Sequence, residues 1–171
     1  SDVAVNEKLR VLDACAAPGG KCAHLLESGC ARLDVVALDH SASRLSLLND
    51  GLQRLGLEAQ VKCADAADLD SWWDGRFFDR ILIDAPCSGS GVIRRNPDIR
   101  LHRQASDIDQ FATEQSRLLE ALWPSLKPGG KLLYATCSVL RAENDSVVGA
   151  FLERSREAEI ETIDLSVGQA T

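Results

Sequence analysis

Short apolar runs, several of which end in an aspartate, alternate along this chain with longer segments in which leucine recurs at helical spacing. The runs read as buried parallel strands, since such strands are nearly continuous in apolar residues, and the segments between them read as helices. Parallel strands that alternate with helices are joined by right-handed crossovers. The sequence therefore predicts an α/β domain built on a doubly wound, mostly parallel sheet.

Turn and cap residues place the boundaries of these elements. Strands are expected over residues 10–14, 34–39, 59–63, 78–84, 131–136 and 159–165. Helices are expected over residues 22–27, 41–55, 107–126 and 141–154. Ser41 is a favourable helix cap, Gly56 ends the helix that Ser41 begins, and the Pro-Gly-Gly segment 128–130 predicts a turn before the fifth strand.

Length, composition and charge limit the classes of protein to which this chain can belong. The chain has 171 residues, of which 45% are hydrophobic, and this suits one domain, residues 1–171, with a substantial core. No apolar run reaches the roughly 18 residues of a membrane span, and the first residues do not resemble a signal peptide, so we expect a cytosolic location. A formal net charge of −7 argues against a chain that binds nucleic acid by itself.

One basic segment departs from this acidic average. Within residues 94–103, which we call the arginine segment, only Asp98 opposes the basic side chains. Its arginines are Arg94, Arg95, Arg100 and Arg103. The segment follows a loop that carries a candidate nucleophile, so it predicts an anionic substrate at that place.

Carboxylates stand at the ends of the first four predicted strands. They are Asp13, Asp39, Asp65 and Asp84. The loop after the first strand, residues 13–21, lacks both the G-x-G-x-x-G fingerprint of dinucleotide sites and the P-loop pattern. Asp39 stands where an acidic residue accepts hydrogen bonds from ribose hydroxyls. These features together predict a crevice for a nucleoside without a pyrophosphate, and S-adenosylmethionine fits that description.

Two cysteines follow predicted strand ends, and these are the candidates for chemistry. Cys87 lies in the loop after the fourth strand and Cys137 in the loop after the fifth. A thiolate at that edge of a parallel sheet faces the ligand crevice and can act as a covalent nucleophile. The remaining cysteines are interpreted as small buried hydrophobic residues, namely Cys15, Cys22, Cys30 and Cys63. Without a Cys-x-x-Cys pair or a grouped His and Cys set, no metal site is expected.

Four segments carry motifs that occur together in one family. They are residues 13–21 (Asp-Ala-Cys-Ala-Ala-Pro-Gly-Gly-Lys), 84–89 (Asp-Ala-Pro-Cys-Ser-Gly), 91–98 and 134–138 (Tyr-Ala-Thr-Cys-Ser). On these motifs the chain resembles the RNA cytosine-5 methyltransferases of the Sun/Nop family, most closely its bacterial members that act on small-subunit (16S) rRNA. The resemblance spans roughly residues 11–152. It implies the Rossmann-like fold of S-adenosylmethionine-dependent methyltransferases, without its final strand pair.

The resemblance also implies roles for individual residues. Cys137 would add to carbon 6 of the target cytosine, Cys87 would assist product release, and Asp84 would contact the cytosine edge. The residues that would line the S-adenosylmethionine site are Cys15, Ala16, Ala17, Pro18, Gly19, Gly20, Lys21, Asp39, Asp65 and Asp84. The arginine segment would hold RNA phosphates. The target cytosine must be single-stranded or flipped out of its stack.

Some expectations depend on what the family carries elsewhere. Its full proteins have an upstream RNA-binding region and a downstream strand pair with a glycine-aromatic motif, so we expect this chain to be the catalytic domain of a longer, monomeric protein. Two other functions stay open. The first is a cysteine hydrolase that uses Cys137 or Cys87 with one of the histidines, which are His24, His40 and His102. The second is an inactive nucleotide-binding module.

Overall fold

Five parallel strands form the centre of the protein in a computed structural model that describes residues 8–29 and 32–163. The strands are β1 (Leu9–Asp13), β2 (Leu33–Asp39), β3 (Gln60–Cys63), β4 (Phe78–Asp84) and β5 (Leu126–Ala135). Their order in the sheet is β3-β2-β1-β4-β5, and every pair is parallel. The order reverses between β1 and β4, which is where sheets of this type open a ligand crevice.

The helices cover both faces of this sheet. They are α1 (Gly20–Gly29), α2 (Ala42–Leu55), α3 (Leu69–Trp72), α4 (Ile99–His102), α5 (Ala105–Leu122) and α6 (Asp145–Arg154). As predicted, α2 begins after Ser41, whose Oγ accepts from Arg44 N at 3.4 Å, and it ends at Gly56, where φ is +65°. Within the described residues, no helix is long and apolar enough to cross a membrane.

Alternate strand residues enter two separate cores. Val11 and Val35 pack with Leu48 under α1 and α2, whereas Leu12 and Val36 pack on the opposite face under α5 and α6. Both faces of the three central strands, β1, β2 and β4, are therefore largely buried, and this accounts for their continuous apolar character in the sequence. The predicted doubly wound parallel sheet is confirmed, in the Rossmann-like form.

The prediction was wrong around the start of β5. The long helix ends at Leu122, not at residue 126, and a 3-10 turn, Trp123–Ser125, contains the proline that stops it. The segment 128–130 lies inside β5 and is not a turn before it. Pairing of β5 with β4 shifts register between Phe78 and Arg80, and Gly129 absorbs the irregularity with a φ of +77°.

The predicted sixth strand is also wrong over its described part. Residues 159–163 are not in a strand, and residues 164–165 lie outside the described residues. Ile160 is 71% exposed and Ile163 is 63% exposed, so this segment has no buried apolar face that would hold a strand against the core. The predicted helix over 141–154 is interrupted at Asn144, where a 3-10 turn, Arg141–Glu143, gives way to α6.

Candidate functional site

The carboxyl ends of the strands open onto a cleft of about 610 Å³. This edge collects the groups that the sequence places at strand ends, because parallel strands present all their carboxyl ends on one side. The predicted site residues that line the cleft are Cys15, Ala17, Lys21, Asp39, Asp65, Asp84, Cys87 and Cys137. The cleft therefore joins the predicted cofactor loop to both candidate thiols.

The loop between β1 and α1 is shaped by residues that lie behind the cleft wall. Ala16 N donates to Leu38 O at 2.8 Å, which fastens the loop to β2. Gly19 has a φ of +110°, and a Cβ there would lie 3.1 Å from Leu48 Cγ, so glycine is required at this position. Ala16, Pro18, Gly19 and Gly20 do not line the cleft. Their part in the predicted cofactor set is to form the loop.

Asp39 lies at the carboxyl end of β2 with its side chain almost fully buried. Its Oδ1 accepts from Ser41 N at 2.9 Å, and its Oδ2 accepts from Ala17 N at 3.3 Å. Arg44 Nη1 lies 3.4 Å from the same Oδ2, and the Arg44 guanidinium also donates to the Ala17 carbonyl. Asp39 thus ties the cofactor loop to α2. Sequence reasoning missed Arg44, although an arginine in the first turn of a helix opposes the helix dipole and was a usable signal.

A second ion-pair group lines the far wall. Arg117 Nη2, on α5, donates to Asp65 Oδ1 at 3.0 Å and to Glu114 Oε1 at 2.6 Å. The hydrogen bond from Arg117 lowers the pKa of Asp65 below its usual range. Among the described residues, Asp65 Oδ2 has no hydrogen-bond partner. Arg117 and Glu114 were missed, because both read as ordinary solvent-exposed residues of an amphipathic helix.

Asp13 is a fully buried carboxyl group at this edge. Neither of its oxygens has a hydrogen-bond partner of good geometry among the described residues, and the residue is 0% exposed. Burial, followed by the neighbouring charge of Asp84, raises its pKa to about 7, although Lys21 partly opposes the shift. Lys21 Nζ itself lies 2.5 Å from Asp84 Oδ2 and links the cofactor loop to the end of β4.

The two candidate thiols are in contact. Cys87 Sγ lies 3.2 Å from Cys137 Sγ, with Cys87 partly buried and Cys137 exposed. Burial and the hydrogen bond with Cys137 raise the pKa of Cys87 to about 11, so Cys87 holds its proton at neutral pH. Either sulfur can be the donor in this contact. Within the described residues, neither thiol has a histidine as hydrogen-bond partner.

Backbone bonds join the loops that carry these thiols. We call residues 85–91 the Cys87 loop and residues 136–140 the Cys137 loop. Ala85 N donates to Ala135 O at 2.9 Å, and Gly91 N donates to the carbonyl oxygen of Cys137 at 2.9 Å. The loops also share a buried carboxylate, Glu143, which sequence reasoning placed only in a helix. Paired loops of this kind fix the relative position of two side chains better than either loop does alone.

Of the arginine segment, Arg94, Arg95 and Arg103 lie outside the cleft lining. Arg94 and Arg95 are exposed, as a phosphate-binding role requires. Arg103 differs, since its guanidinium stacks on the Phe111 ring at 4.8 Å and its Nε donates to Ser88 O at 3.3 Å. Arg103 therefore supports the Cys87 loop from outside. The side chain of Arg100 is outside the described part of the structure.

The remaining cysteines follow the buried interpretation only in part. Cys22 is fully buried, and its burial raises the pKa of the thiol to about 12. Cys15 lines the cleft with a pKa raised to about 12, again by burial. Cys63 is exposed, so the expectation is wrong there, because β3 is an edge strand. Cys30 lies outside the described residues.

The chain is similar to several known proteins. The family model described as 16S rRNA methyltransferase RsmB/F matches residues 3–171. Ribosomal RNA small subunit methyltransferase B of Pseudomonas putida is 55% identical over 156 residues, which cover 90% of this chain and 36% of that protein. The same enzyme of Xanthomonas campestris is 52% identical over 163 residues, covering 94% and 37%. The chain thus spans a little over a third of the length of these curated relatives.

Solved structures extend the comparison to three dimensions. PH0851 superposes with a TM-score of 0.82 and 34% identity, over 87% of this chain and 34% of that one. A structure described as NSun6 from Pyrococcus horikoshii with SFG gives a TM-score of 0.78 and 31% identity, over 87% and 38%. TrmN from Thermus thermophilus, at 21% identity and a TM-score of 0.62, shares the fold.

Proposed function

Because this chain belongs to the RsmB/F family of 16S rRNA methyltransferases, we propose that it transfers a methyl group from S-adenosylmethionine to carbon 5 of a cytosine in 16S rRNA. The 3.2 Å contact between the Cys87 and Cys137 sulfurs at one wall of the cleft carries the proposal. Carbon 5 of cytosine is too weak a nucleophile to take a methyl group directly. A thiol that adds to the ring and a second group that assists release meet this chemical need.

The charges of the cleft suit S-adenosylmethionine, which is a cation with a ribose and no phosphate. Three strand-end carboxylates line the cleft, namely Asp39, Asp65 and Asp84, and among the described residues Asp65 Oδ2 has no hydrogen-bond partner. The orphaned oxygens of Asp13 lie behind the same edge, close enough to Asp84 for their charges to interact. The cofactor would lie across Cys15, Lys21, Asp39 and Asp65, and when bound it supplies an electrophilic methyl group on a sulfonium centre.

We assign the nucleophile to Cys137, the more exposed thiol of the pair. Its thiolate forms a bond to carbon 6 of the cytosine, and the ring electron density moves to carbon 5, which can then accept the methyl group. Cys87 keeps its proton at neutral pH, and its sulfur lies 3.2 Å from that of Cys137, so it adjoins the attacking thiol without competing with it as a nucleophile. Asp84, held by Lys21, lies on the same wall and would hydrogen-bond the cytosine edge during attack.

Release of the product requires that carbon 5 lose its proton. Cys87 must first lose its own proton to solvent, and its thiolate then takes the proton of carbon 5. The electron pair of that carbon–hydrogen bond re-forms the double bond between carbons 5 and 6, and Cys137 leaves as a thiolate. The raised pKa of Cys87 makes its thiolate a stronger base than an ordinary cysteine thiolate. The same shift makes Cys87 the poorer candidate for initial attack, because less of it is ionised at neutral pH.

The substrate must reach this wall as an unstacked base, single-stranded or flipped. Arg94 and Arg95, exposed beyond the Cys87 loop, would hold its phosphates. An rRNA substrate in turn implies a cytoplasmic location. The chain spans little more than a third of the length of its curated relatives. We therefore assign it to the catalytic domain alone, and we expect most of the RNA contacts to come from other parts of such proteins.

Of the other functions considered, a cysteine hydrolase has little support, because neither thiol is paired with a histidine among the described residues. An inactive module is opposed by the presence of both thiols in contact and of all four strand-end carboxylates. The decisive experiment maps 5-methylcytosine in 16S rRNA from cells that lack the gene and from cells that carry it. Loss of one modified cytosine without the gene, and its return with the wild type but not with Cys137→Ser, is the expected result. An unchanged 16S rRNA map would overturn the proposal.

A further inference from the structure

The carboxylate of Glu143 is fully buried beneath the Cys87 loop and the Cys137 loop. Its residue is 0% exposed, and the Tyr134 hydroxyl donates to its backbone carbonyl at 2.7 Å. Among the described residues, the carboxylate has no cationic partner. A buried carboxylate in that position depends on hydrogen bonds for its stability. The donors of these hydrogen bonds indicate the role of the Glu143 carboxylate.

Those donors come from both loops at once. Glu143 Oε1 accepts from Ser88 N at 2.7 Å, and Oε2 accepts from Ser88 Oγ at 2.5 Å and from Ser138 Oγ at 2.6 Å. Ser88 directly follows Cys87, and Ser138 directly follows Cys137. One carboxylate therefore joins the two residues that neighbour the two thiols.

A third element completes the attachment. Gln115 Nε2, on α5, donates to Glu143 Oε1 at 3.3 Å and to Pro86 O at 2.9 Å. Burial raises the pKa of Glu143, but hydrogen bonds from Ser138, Ser88 and Gln115 outweigh it and leave the pKa below its ordinary value. The group is therefore charged at neutral pH, and hydrogen bonds to a charged acceptor are the stronger kind.

We propose that Glu143 is a positioning residue, which holds the Cys87 loop and the Cys137 loop at the separation that the two-thiol chemistry requires. The inference rests on the proposed function for its kinetic consequence, but not for the geometry itself. Cys137 is exposed, so packing against the core does not fix its place. A displacement of about 1 Å at such a centre costs on the order of a hundredfold in rate.

The first test measures thiol separation without any methyl transfer. Phenylarsine oxide, which condenses with two neighbouring thiols and releases one water, is added to the full-length protein, and mass spectrometry locates the bridged pair. Wild type should bridge Cys87 to Cys137. In Glu143→Gln and Glu143→Ala the bridging rate should fall by about tenfold or more, while iodoacetamide still alkylates each thiol singly.

The second test separates positioning from general damage. Glu143→Gln should lower kcat by about a hundredfold, with the affinity for S-adenosylmethionine unchanged, and should retain RNA as a covalent adduct because Cys87 no longer reaches carbon 5. Ser138→Ala is the milder variant to use if Glu143→Ala does not fold. It removes the hydrogen bond from Ser138 and leaves those from Ser88 in place, so it should show the same pattern more weakly.

Asp145→Asn is the matched control, since this carboxylate lies two positions away and its side chain is 70% exposed. It should behave as wild type in both tests. Wild-type bridging rates in Glu143→Gln and Ser138→Ala would overturn the inference, and so would an equal loss in Asp145→Asn. If wild type methylates no RNA but bridges its thiols at least tenfold faster than Glu143→Gln does, the proposed function fails and the assignment of Glu143 as a geometric link stands.

Discussion

Cys87 Sγ lies 3.2 Å from Cys137 Sγ, although fifty positions separate the two residues in the chain. Contact between thiols that distant in sequence requires two adjacent strands in register, and β4 and β5 supply them through the pairing of Asp84 with Ala135. The pair therefore behaves as one centre with two unequal members. Cys137 is exposed, whereas Cys87 is partly buried with a raised pKa, so substitutions at the two positions should differ in kind.

Substitutions at the two thiols should give different results in an adduct assay. Cys137→Ser should abolish methyl transfer and any covalent RNA complex, because a hydroxyl is a far weaker nucleophile than a thiolate at neutral pH. Cys87→Ala should still attack and methylate but hold the methylated RNA on the protein. A denaturing gel of full-length protein with RNA and S-adenosylmethionine should show a slow band for Cys87→Ala alone, and the double mutant should lack it.

The exposed thiol Cys63 provides the control for this assay, since Cys63→Ser changes a cysteine outside the cleft lining. It should match wild type. A stable adduct from Cys137→Ser but none from Cys87→Ala would reverse the assignment. Intact methylation without an adduct from any variant would exclude the covalent mechanism.

Asp13 predicts a stability that declines as pH rises. Its pKa is about 7 in the folded protein against an ordinary 3.8, so the folded state binds more protons between these values. The free energy of unfolding must then fall as pH increases from 4 to 7, by at most about 4 kcal/mol from this group. Asp13→Asn removes the titration, so the variant should be more stable than wild type at pH 8 and gain little at pH 4.

Urea denaturation of the ligand-free 171-residue chain at both pH values measures this difference. Asp70→Asn changes an exposed aspartate of α3 and should shift neither value. A wild-type stability that is higher at pH 8 than that of Asp13→Asn would show that the buried carboxylate finds a partner in solution, contrary to the expectation.

Gly91 should tolerate no side chain. A Cβ at this position would lie 2.7 Å from the carbonyl oxygen of Cys137, which is the acceptor of the Gly91 amide. Gly91→Ala should therefore push the two loops apart and lower kcat by about a hundredfold, while the affinity for S-adenosylmethionine changes little. Steady-state kinetics and calorimetric titration measure the two quantities. Gly149→Ala, on α6 with open space around it, should leave both unchanged, and equal kinetics for the two variants would contradict the prediction.

The arginine segment should divide into two functional types. Arg94→Ala and Arg95→Ala should each weaken RNA binding and flatten its salt dependence by about one unit of slope, as the loss of a phosphate contact does. Arg103→Ala should instead lower kcat, because it removes the stacking on Phe111 and the bond to Ser88 O that support the Cys87 loop. Filter binding across a range of salt concentrations distinguishes them. Identical salt slopes for all variants and wild type would refute the phosphate role.

Cofactor affinity should depend on Asp39. Asp39→Ala removes the acceptor for ribose and also frees Arg44 and the Ala17 amide, so the loss should exceed that of one charged hydrogen bond, about 1.5–3 kcal/mol. Calorimetric titration of S-adenosylmethionine measures it. Asp34→Ala, near the opposite end of β2, should bind as wild type does. If Asp39→Ala bound S-adenosylmethionine as tightly as wild type does, the ribose would have to bind elsewhere in the cleft.

The sequence predicted the parts of the site that depend on strand ends and missed those that depend on tertiary partners. Asp39, Asp84 and Cys137 were found because an apolar run before a polar residue is a local signal. Arg117 was missed because its partner Asp65 is distant in sequence. Glu143 reads as a solvated helix residue, and only the meeting of two loops above it makes it buried.

The fold boundaries failed for a related reason. Pro128 and its two glycines are typical of a turn, and the local preference is for one. Pairing with β4 overrides that preference, since the strand continues through them with a register shift opposite Phe78 and Arg80. Such an irregularity depends on the neighbouring strand, so it cannot be predicted from residues 128–130 alone.

The strand order also sets the order in which the centre can assemble during synthesis. The strands that hold Asp13, Asp39 and Asp65 leave the ribosome first, and β4 must then return to pair with β1, far back in the chain. Pairing across such a distance is slow, because the intervening loop must close before any contact forms. One face of β1 and β2 packs on α5 and α6, so the nucleotide half also completes its core only after those helices have been made. The thiol contact needs β4 and β5 together, so a chain halted before residue 126 would carry every strand-end carboxylate but lack Cys137 and the contact it makes.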